Sequence, residues 1–261
     1  MLQDRIGGRP KRLRYWIRLI AASAALLFSG KAMAADFCRD VEHLGDTYLV
    51  CTFDPAMQEL RLYHSNYAGK PYGAFRPMLD DVAVDRTRVL FAMNAGMYHA
   101  DLAPVGLYVE NGIERQKAVT GGGYGNFHLL PNGIFYMDRG KAGVMETKAY
   151  LAAGLKPWYA TQSGPMLVID GKIHPAFLPK SDSLNIRNGV GVDRDGKVHA
   201  VVSKGPVRFH DFATLFRDIM ACDNALFLDG TISSLYIPEA GREDRLFPMG
   251  PIFAVVETHP G

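Results

Sequence analysis

Several features that would assign a chemistry at once are missing from this chain. Cysteine occurs only three times and never as the paired motif of a zinc site, and there is no His-Glu-x-x-His sequence or acidic loop with calcium-ligand spacing. The glycine-dense segment at 121–125 is not followed by Lys-Ser or Lys-Thr, which excludes a Walker loop. No low-complexity linker and no repeat of 20 to 50 residues occurs either. The sequence therefore predicts no metal, no cofactor and one domain.

Basic residues are concentrated at the N-terminus. A basic segment from Arg5 to Arg18 precedes the apolar stretch Leu19–Phe28, and Ala32-Met33-Ala34 follows. This order predicts a signal peptide over residues 1–34, a mature domain over 35–261 and a periplasmic or secreted location. An uncleaved anchor is the alternative, although the apolar stretch is shorter than the roughly 20 residues that span a bilayer, so we expect no stable membrane insertion after cleavage.

The charge balance changes once that segment is removed. The full chain has a formal net charge of +2, but the mature part has more acidic than basic residues. No nucleic-acid partner is therefore expected. Export also implies an oxidising compartment, in which the closely spaced Cys38 and Cys51 are predicted to form a disulfide. Cys222 precedes an apolar run and is interpreted as a buried small side chain.

Turn dipeptides indicate the fold class. Asn-Gly and Asp-Gly favour the positive φ angles of tight hairpin turns, and four of them lie between apolar or β-branched runs, at Asn111-Gly112, Asn132-Gly133, Asp170-Gly171 and Asp195-Gly196. Helical spacing follows a candidate N-cap at Asp211, and weaker helical patterns cover Lys70 to Val82 and Thr147 to Gly154. We predict a single α+β domain dominated by twisted antiparallel sheet built from hairpins, with a few helices.

The segment from Asn224 to Ser234 is the strongest indication of a site. An apolar run that is typical of a buried strand ends on Asp229-Gly230, and Ser233 and Ser234 follow. A carboxylate at the rim of a core is costly unless it is paired, so it requires a reason. A simple turn at Asp229-Gly230 is the alternative interpretation.

Other predicted strands end on polar residues in the same way. Because the ends of strands can converge at one edge of a β-rich fold, these residues are predicted to form a polar pocket together with Asp229. The candidate substrate-binding residues are Asn94, Gly96, Ser163, Gly164, Asn188, Ser203, Gly230 and Ser233. Arg187 lies beside a predicted turn and is the candidate cation. Taken singly, each has a structural explanation as a turn amide, a capping serine or a surface arginine.

Five of these segments resemble the phosphodiester glycosidase family, in the same order along the chain. They are Asn94-Ala95-Gly96-Met97, Asn126-Phe127-His128 with Asn132-Gly133, Gln162-Ser163-Gly164-Pro165, Ile186-Arg187-Asn188-Gly189-Val190-Gly191 and Asn224-Ala225-Leu226-Phe227-Leu228-Asp229-Gly230. The resemblance covers roughly residues 60–256 and is to the exported bacterial members. In the last segment, members of the family typically have the sequence Asp-Gly-Gly-x-Ser, whereas in this chain Thr231 replaces the second glycine.

The resemblance implies an exported hydrolase that cleaves a sugar–phosphate bond in a glycan phosphodiester of the envelope or the extracellular space. Ordinary glycosidases need two carboxylates, because an alcohol leaving group must be protonated. A phosphate monoester leaves more readily, since its second pKa is near 6. Asp229 is therefore the candidate catalytic carboxylate, as nucleophile, as base or as the group that orients Arg187, and Arg187 is the candidate phosphate ligand. His99 and His128 are possible proton shuttles.

Two alternatives belong to other functional classes. A catalytically silent glycan-binding or envelope-assembly protein would keep the pocket without turnover. A hydrolase of simple glycosides would need a second carboxylate within about 10 Å of Asp229.

Overall fold

The structure, a computed structural model, describes residues 37–230 and 232–258. The expected signal peptide and Thr231 lie outside these residues. The strands in the described part of the chain are β1 Cys38–His43, β2 Asp46–Phe53, β3 Glu59–Tyr63, β4 Thr87–Asn94, β5 Tyr108–Glu110, β6 Ile113–Gln116, β7 Gly133–Asp138, β8 Lys141–Glu146, β9 Tyr159–Ser163, β10 Met166–Ile169, β11 Lys172–Ile173, β12 Asn188–Asp193, β13 Val198–Ser203, β14 Cys222–Asp229, β15 Leu235–Ile237, β16 Arg242–Glu243 and β17 Ile252–Thr258.

These strands form three sheets. The first sheet has the order β1-β2-β13-β12-β14-β10-β11, the second β16-β15-β4-β17-β3 and the third β6-β5-β9-β7-β8. Every neighbouring pair is antiparallel. The predicted α+β class, dominated by antiparallel sheet with a few helices, is confirmed.

Three of the four predicted hairpin turns are confirmed. Asn111-Gly112 joins β5 to β6 and Asp170-Gly171 joins β10 to β11, both with positive φ at the two turn residues. Asp195-Gly196 lies in the loop that joins β12 to β13. The local backbone preference of these dipeptides was sufficient to place each turn.

The fourth hairpin prediction, at Asn132-Gly133, is wrong. Gly133 begins β7, and β7 turns into β8 at Arg139-Gly140. Tertiary contacts explain the difference: Asn132 is buried and accepts a hydrogen bond from the Thr147 hydroxyl at 2.8 Å. A Cβ at position 133 would lie 2.9 Å from the Met166 side chain, so this glycine provides space rather than a turn.

The helices differ in part from the prediction. They are α1 Phe75–Val82, α2 Thr147–Ala153 and α3 Phe209–Thr214, and a π-helical turn, Leu215–Ile219, continues α3. The prediction for α2 is confirmed, and α1 is shorter than the pattern from Lys70 suggested. Asp211 is not the N-cap of α3, which is Arg208, because the helix starts three residues earlier than predicted, at Phe209. The Phe209 ring stacks on Phe177 with 4.7 Å between the ring centroids, which holds that first residue in place.

A central core lies where the three sheets face one another. It contains side chains from all three, including Phe53, Phe91, Phe135, Leu228 and Phe253, all of them fully buried. Each sheet also packs one helix on its other face: α3 on the first, α1 on the second and α2 on the third. The inner strands β4, β13 and β17 are therefore near-continuous apolar runs, because both of their faces are covered, whereas the edge strands β1 and β6 are largely polar and exposed.

The cysteines are arranged as expected. Cys38 and Cys51 are directly opposite each other in the β1–β2 pair and form a disulfide. Cys222 is free and buried, and burial raises the pKa of its thiol. Among the described residues, no helix is both long and apolar enough to cross a membrane.

Candidate active site

Polar strand ends from the first and second sheets meet around Asp229. This residue is the last of β14, and its Cα partner across the sheet is Asn188, the first residue of β12. The Asn188 amide links two sheets: its Oδ1 accepts the backbone N–H of Asp229 at 2.7 Å, and its Nδ2 donates to Oδ1 of Asn94, at the end of β4, at 2.6 Å. Two strands of the first sheet and one of the second thus terminate at one point.

The third sheet reaches the same point through β9. The Ser163 hydroxyl, at the end of β9, donates to the backbone carbonyl of Leu228 at 3.0 Å, one residue before Asp229. Thr161 on the same strand donates to the carbonyl of Ala95, next to Asn94, at 2.9 Å. The predicted convergence of strand ends is therefore present in the geometry for Asn94, Ser163, Asn188 and Asp229.

The Asp229 carboxyl is mostly buried and has no charged partner. Burial raises its pKa from 3.8 to about 6, although the backbone N–H of Gly230 donates to Oδ1 and opposes the shift. No charged side chain of residues 37–230 or 232–258 contributes to this shift. Because burial disfavours the charged form, this carboxyl can exchange a proton close to neutral pH.

The Asn94 amide has a buried donor without an acceptor. Its Oδ1 accepts from Asn188 Nδ2 and from the backbone N–H of Ser234 at 3.0 Å, which fixes the orientation of the amide. Its Nδ2 is buried and has no hydrogen-bond partner in the described part of the chain. An unpaired buried donor costs about 1–3 kcal/mol, so this group requires an explanation.

Arg187 is fully buried and forms no ion pair with a carboxylate in the described part of the chain. Its Nε donates to the carbonyl of Val207 at 2.9 Å, its Nη2 donates to the carbonyl of Ser183 at 3.1 Å, and its Cζ lies 3.5 Å from the centre of the Phe209 ring. Burial lowers the pKa of the guanidinium to about 10. The structure contains no contact by which Asp229 would orient this guanidinium, since no ion pair among the described residues joins them.

The other candidate residues near the site contact backbone groups rather than other side chains. The Ser203 hydroxyl accepts the backbone N–H of Arg187 at 2.9 Å, and the Ser233 hydroxyl donates to the carbonyl of Gly230 at 2.7 Å. Gly230 leaves space for the chain of β12, because a Cβ there would lie 3.3 Å from the carbonyl oxygen of Ile186.

Two further glycines allow close approach between sheets. Gly96 has a φ of +150°, and a Cβ there would lie 3.1 Å from the Thr161 hydroxyl. At Gly164 an added Cβ would lie 2.8 Å from the carbonyl oxygen of Phe127. Gly96 therefore supports the junction between the second and third sheets, and Gly164 allows the chain after β9 to pack against the segment before β7, next to Ser163.

Sequence reasoning missed Tyr98. Burial, and secondarily the charge of Asp229, raises the pKa of its phenol to about 12, which places the ring near the carboxyl. Its hydroxyl donates to the carbonyl of Pro248 and so joins two loops beside the site. No local pattern marks this tyrosine, and its position two residues after Gly96 was the only available signal.

Of the candidate histidines, His99 lies in a loop and His128 ends the short 3-10 helix Asn126–His128. Nδ1 of His128 contacts the carbonyl of Gly121 at 3.3 Å, and the backbone N–H of His99 donates to the carbonyl of Ala103. Within the described ranges, no three His, Cys, Asp or Glu side chains come close enough together to hold a metal ion.

Comparison with known proteins identifies the family. Residues 87–245 match the family described as phosphodiester glycosidase (NAGPA), and this match contains the ends of β4, β9 and β14 and the start of β12. The chain belongs to the phosphodiester glycosidase family. The resemblance of the sequence motifs is thereby confirmed, and the family match covers more than half of the chain.

The alignments of this phosphodiester glycosidase family member with similar proteins cover most of its chain. An Escherichia coli (strain K12) protein named "Uncharacterized protein YigE" is 34% identical over 227 residues, covering 86% of this chain and 87% of its own. The zebrafish N-acetylglucosamine-1-phosphodiester alpha-N-acetylglucosaminidase catalytic domain, auto-inhibited by its pro-peptide, aligns with a TM-score of 0.57 and 14% identity, over 85% of this chain and 82% of that chain. A hypothetical protein from Synechocystis aligns with a TM-score of 0.50 and 16% identity, over 84% and 61%. The two structures show that the fold is shared.

Proposed function

We propose that this protein is an exported hydrolase that cleaves the bond between a sugar and a phosphate in a glycan phosphodiester. The observation that carries the proposal is the Asp229 carboxyl, which is largely buried, has a raised pKa and no charged partner among residues 37–230 and 232–258, and lies where the three sheets meet. Perturbed carboxyls without a structural partner are typical of reactive sites. Family membership supplies the reaction class.

The reaction requires one carboxylate. The bond between the anomeric carbon and the phosphate oxygen breaks, and its electron pair leaves on a phosphate monoester. Since the second pKa of such an ester is near 6, it leaves at neutral pH without a strong general acid. Water supplies the oxygen of the new bond and ends as the hydroxyl of the released sugar. Its second proton goes to Asp229 if this carboxylate acts as base, and directly to solvent if Asp229 is the group that water displaces.

Asp229 can act in either of two ways at neutral pH, where it is largely ionised. Direct attack on the anomeric carbon forms a glycosyl–enzyme intermediate and retains the configuration, whereas removal of a proton from water inverts it. The anomer that is released first, followed by proton NMR, distinguishes these routes. Both depend on a carboxylate, and the Gly230 N–H holds the group in place.

Asn94 and Arg187 are proposed to bind the substrate. The free Nδ2 of Asn94 would find its missing acceptor in a phosphate or sugar oxygen. Arg187 is a buried cation to which no charged side chain of the described residues is coupled, and its Nη1 makes no hydrogen bond within the same residues. Since buried charges are normally paired, a phosphate would supply the counter-charge.

Export is supported by the disulfide. The Cys38–Cys51 bridge joins the first two strands, and such bridges persist in oxidising compartments. Together with the signal-peptide pattern over residues 1–34, this supports a periplasmic or secreted location, where envelope or extracellular glycans are the available substrates.

The test is hydrolysis of a panel of chromogenic sugar-1-phosphodiesters by the wild-type protein and by Asp229→Asn. Release of the phosphate ester by the wild type and a loss of about 10²–10⁴-fold in the variant are expected. Asp195→Asn, which changes a hairpin-loop aspartate, is the matched control and should keep full activity. Equal activity of Asp229→Asn would refute the assignment of Asp229. Tight binding without turnover by the wild type would instead favour the glycan-binding alternative.

A further inference from the structure

A second cleft lies at the other end of the third sheet. Its volume is about 800 Å³, and we call it the hairpin cleft because the β2–β3 and β7–β8 turns form its walls. The two turns touch at one end, where a Cβ on Gly140 would lie 3.6 Å from the carbonyl oxygen of Pro55. The lining side chains that matter here are Glu59, Arg61, Arg139, Lys141, Trp158 and Tyr159.

The hairpin cleft is separate from the Asp229 site. Along the β7–β9 pair, Gly133 is opposite Ser163 at the Asp229 end, whereas Met137 is opposite Tyr159 at the cleft end. Four residues of extended strand span roughly 13 Å. Occupancy of the cleft is therefore independent of the carboxyl of Asp229.

Its surface combines an aromatic ring with hydrogen-bonding groups. Trp158 is 40% exposed although it is large and apolar, and the guanidinium of Arg139 lies 5.6 Å from its ring centre. Next to it, the Tyr159 hydroxyl donates to Oδ1 of Asn111 at 2.8 Å. The C–H face of a pyranose ring packs on an indole while its hydroxyls require polar partners, so this pairing suits a sugar better than a purely apolar ligand.

The cleft is lined by the cations Arg61, Arg139 and Lys141 and by the carboxylates Glu59 and Asp138, and this excess of one positive charge favours an anionic ligand. Arg61 is paired with Glu59 at 2.7 Å. None of the ion pairs found among residues 37–230 and 232–258 includes Arg139 or Lys141, although Asp138 is opposite Lys141 in the hairpin. Two cations without a carboxylate partner beside an exposed indole can bind a phosphate that a sugar carries.

We propose that the hairpin cleft is a second glycan-binding site, which takes a phosphate-bearing oligosaccharide with a sugar ring on Trp158 and the phosphate on Arg139 and Lys141. This site would hold a glycan chain at a distance from the reacting bond. The proposal does not depend on hydrolysis at Asp229, because a protein without turnover would still bind there.

Tryptophan fluorescence reports directly on this cleft. The full chain has only two tryptophans, Trp16 and Trp158, so a Trp16→Phe background leaves Trp158 as the sole indole. In this background the protein is titrated with mannopentaose 6-phosphate, unphosphorylated mannopentaose, inorganic phosphate and polyglutamate. We expect a saturable change with the phosphorylated sugar and at least tenfold weaker binding of the other three.

Variants separate this site from other sources of binding. Arg139→Asn with Lys141→Gln should weaken binding at least tenfold, and Asn tolerates the positive φ of position 139. Lys148→Gln with Lys172→Gln removes the same charge from other exposed positions and should bind like the parent, as should Asp229→Asn. Thermal unfolding checks each variant. If the double variant does not fold, Lys141→Gln alone decides, with an expected loss of at least threefold.

Several results would overturn the proposal. They are no saturable change with the phosphorylated sugar, unchanged affinity in the folded Arg139 and Lys141 variants, or equal binding of polyglutamate or inorganic phosphate. Loss of binding in Asp229→Asn alone would place the glycan at the Asp229 site instead.

Discussion

Replacing Asp229 by asparagine should stabilise the protein while it removes activity. The carboxyl has a pKa of about 6 in the folded chain instead of 3.8, chiefly because it is buried. An acid whose pKa is raised by folding binds protons more tightly in the folded state, so its ionisation opposes folding. Asparagine has nearly the same shape, and its Oδ1 can still accept the Gly230 N–H.

The magnitude follows from the shift. A difference of about two pKa units corresponds to about 3 kcal/mol, as an upper bound. The destabilisation is absent below about pH 3, where the carboxyl is protonated in both states, and complete above about pH 7, where it is ionised in both. For a chain of this size the variant should unfold about 5–10 °C above the wild type at pH 8. At pH 4, where the carboxyl is ionised in part of the unfolded chains only, the difference should fall to about 1–2 °C.

Thermal unfolding by circular dichroism at pH 4 and pH 8 is the assay, with hydrolysis measured on the same samples. Asp223→Asn is the control: Asp223 is exposed, and its pKa is lowered by the hydrogen bond from Arg194. That variant should be slightly less stable than the wild type at pH 8, which is the opposite sign. If Asp229→Asn were as stable as the wild type at pH 8, or less stable, the carboxyl would be satisfied in the folded state and the argument for its reactivity would fail.

Further predictions concern residues in other environments. Burial raises the pKa of Glu110 to about 7, so its ionisation opposes folding, and Glu110→Gln should raise the unfolding temperature at pH 8. Because Glu110 lies away from Asp229, kcat should not change, and a loss of activity would contradict this. Arg187→Lys should raise KM for phosphodiesters more than it lowers kcat, since the fork of donors and the stack on Phe209 are lost; collapse of the unfolding temperature would make Arg187 structural. Replacing Cys38 and Cys51 by serine should cost about 3 kcal/mol by denaturant unfolding, and an unchanged midpoint would show that the bridge contributes nothing.

Local chemistry explains most of what the sequence predicted correctly. The turns at Asn111-Gly112 and Asp170-Gly171 depend on positive φ, which these dipeptides adopt readily. The strand before Asp229 depends on an apolar run, and the disulfide on the short separation of Cys38 and Cys51 in a chain with a predicted signal peptide. Each of these inferences uses residues that are close together in the sequence.

The failures have a common cause in long-range contacts. Asn132-Gly133 has a turn sequence, but the Asn132 side chain binds Thr147, and Gly133 is needed for space beside Met166. The turn forms instead at Arg139-Gly140. Helix α3 starts at Phe209 rather than after Asp211, because the aromatic contact of Phe209 with a distant loop outweighs the capping preference of Asp211.

By itself, the sequence determined the fold class, the family motifs and the residue types at the ends of the strands. Tertiary structure alone decided that Asn94, Ser163 and Asp229 meet, because they come from three different sheets whose register is set by core packing. It also decided that Asn94 has a donor without a partner among the described residues, that Tyr98 lies within range of the Asp229 charge and that Arg187 is stacked on Phe209. The raised pKa of Asp229 is caused by burial, and burial is a property of the assembled sheets rather than of any single segment of the sequence.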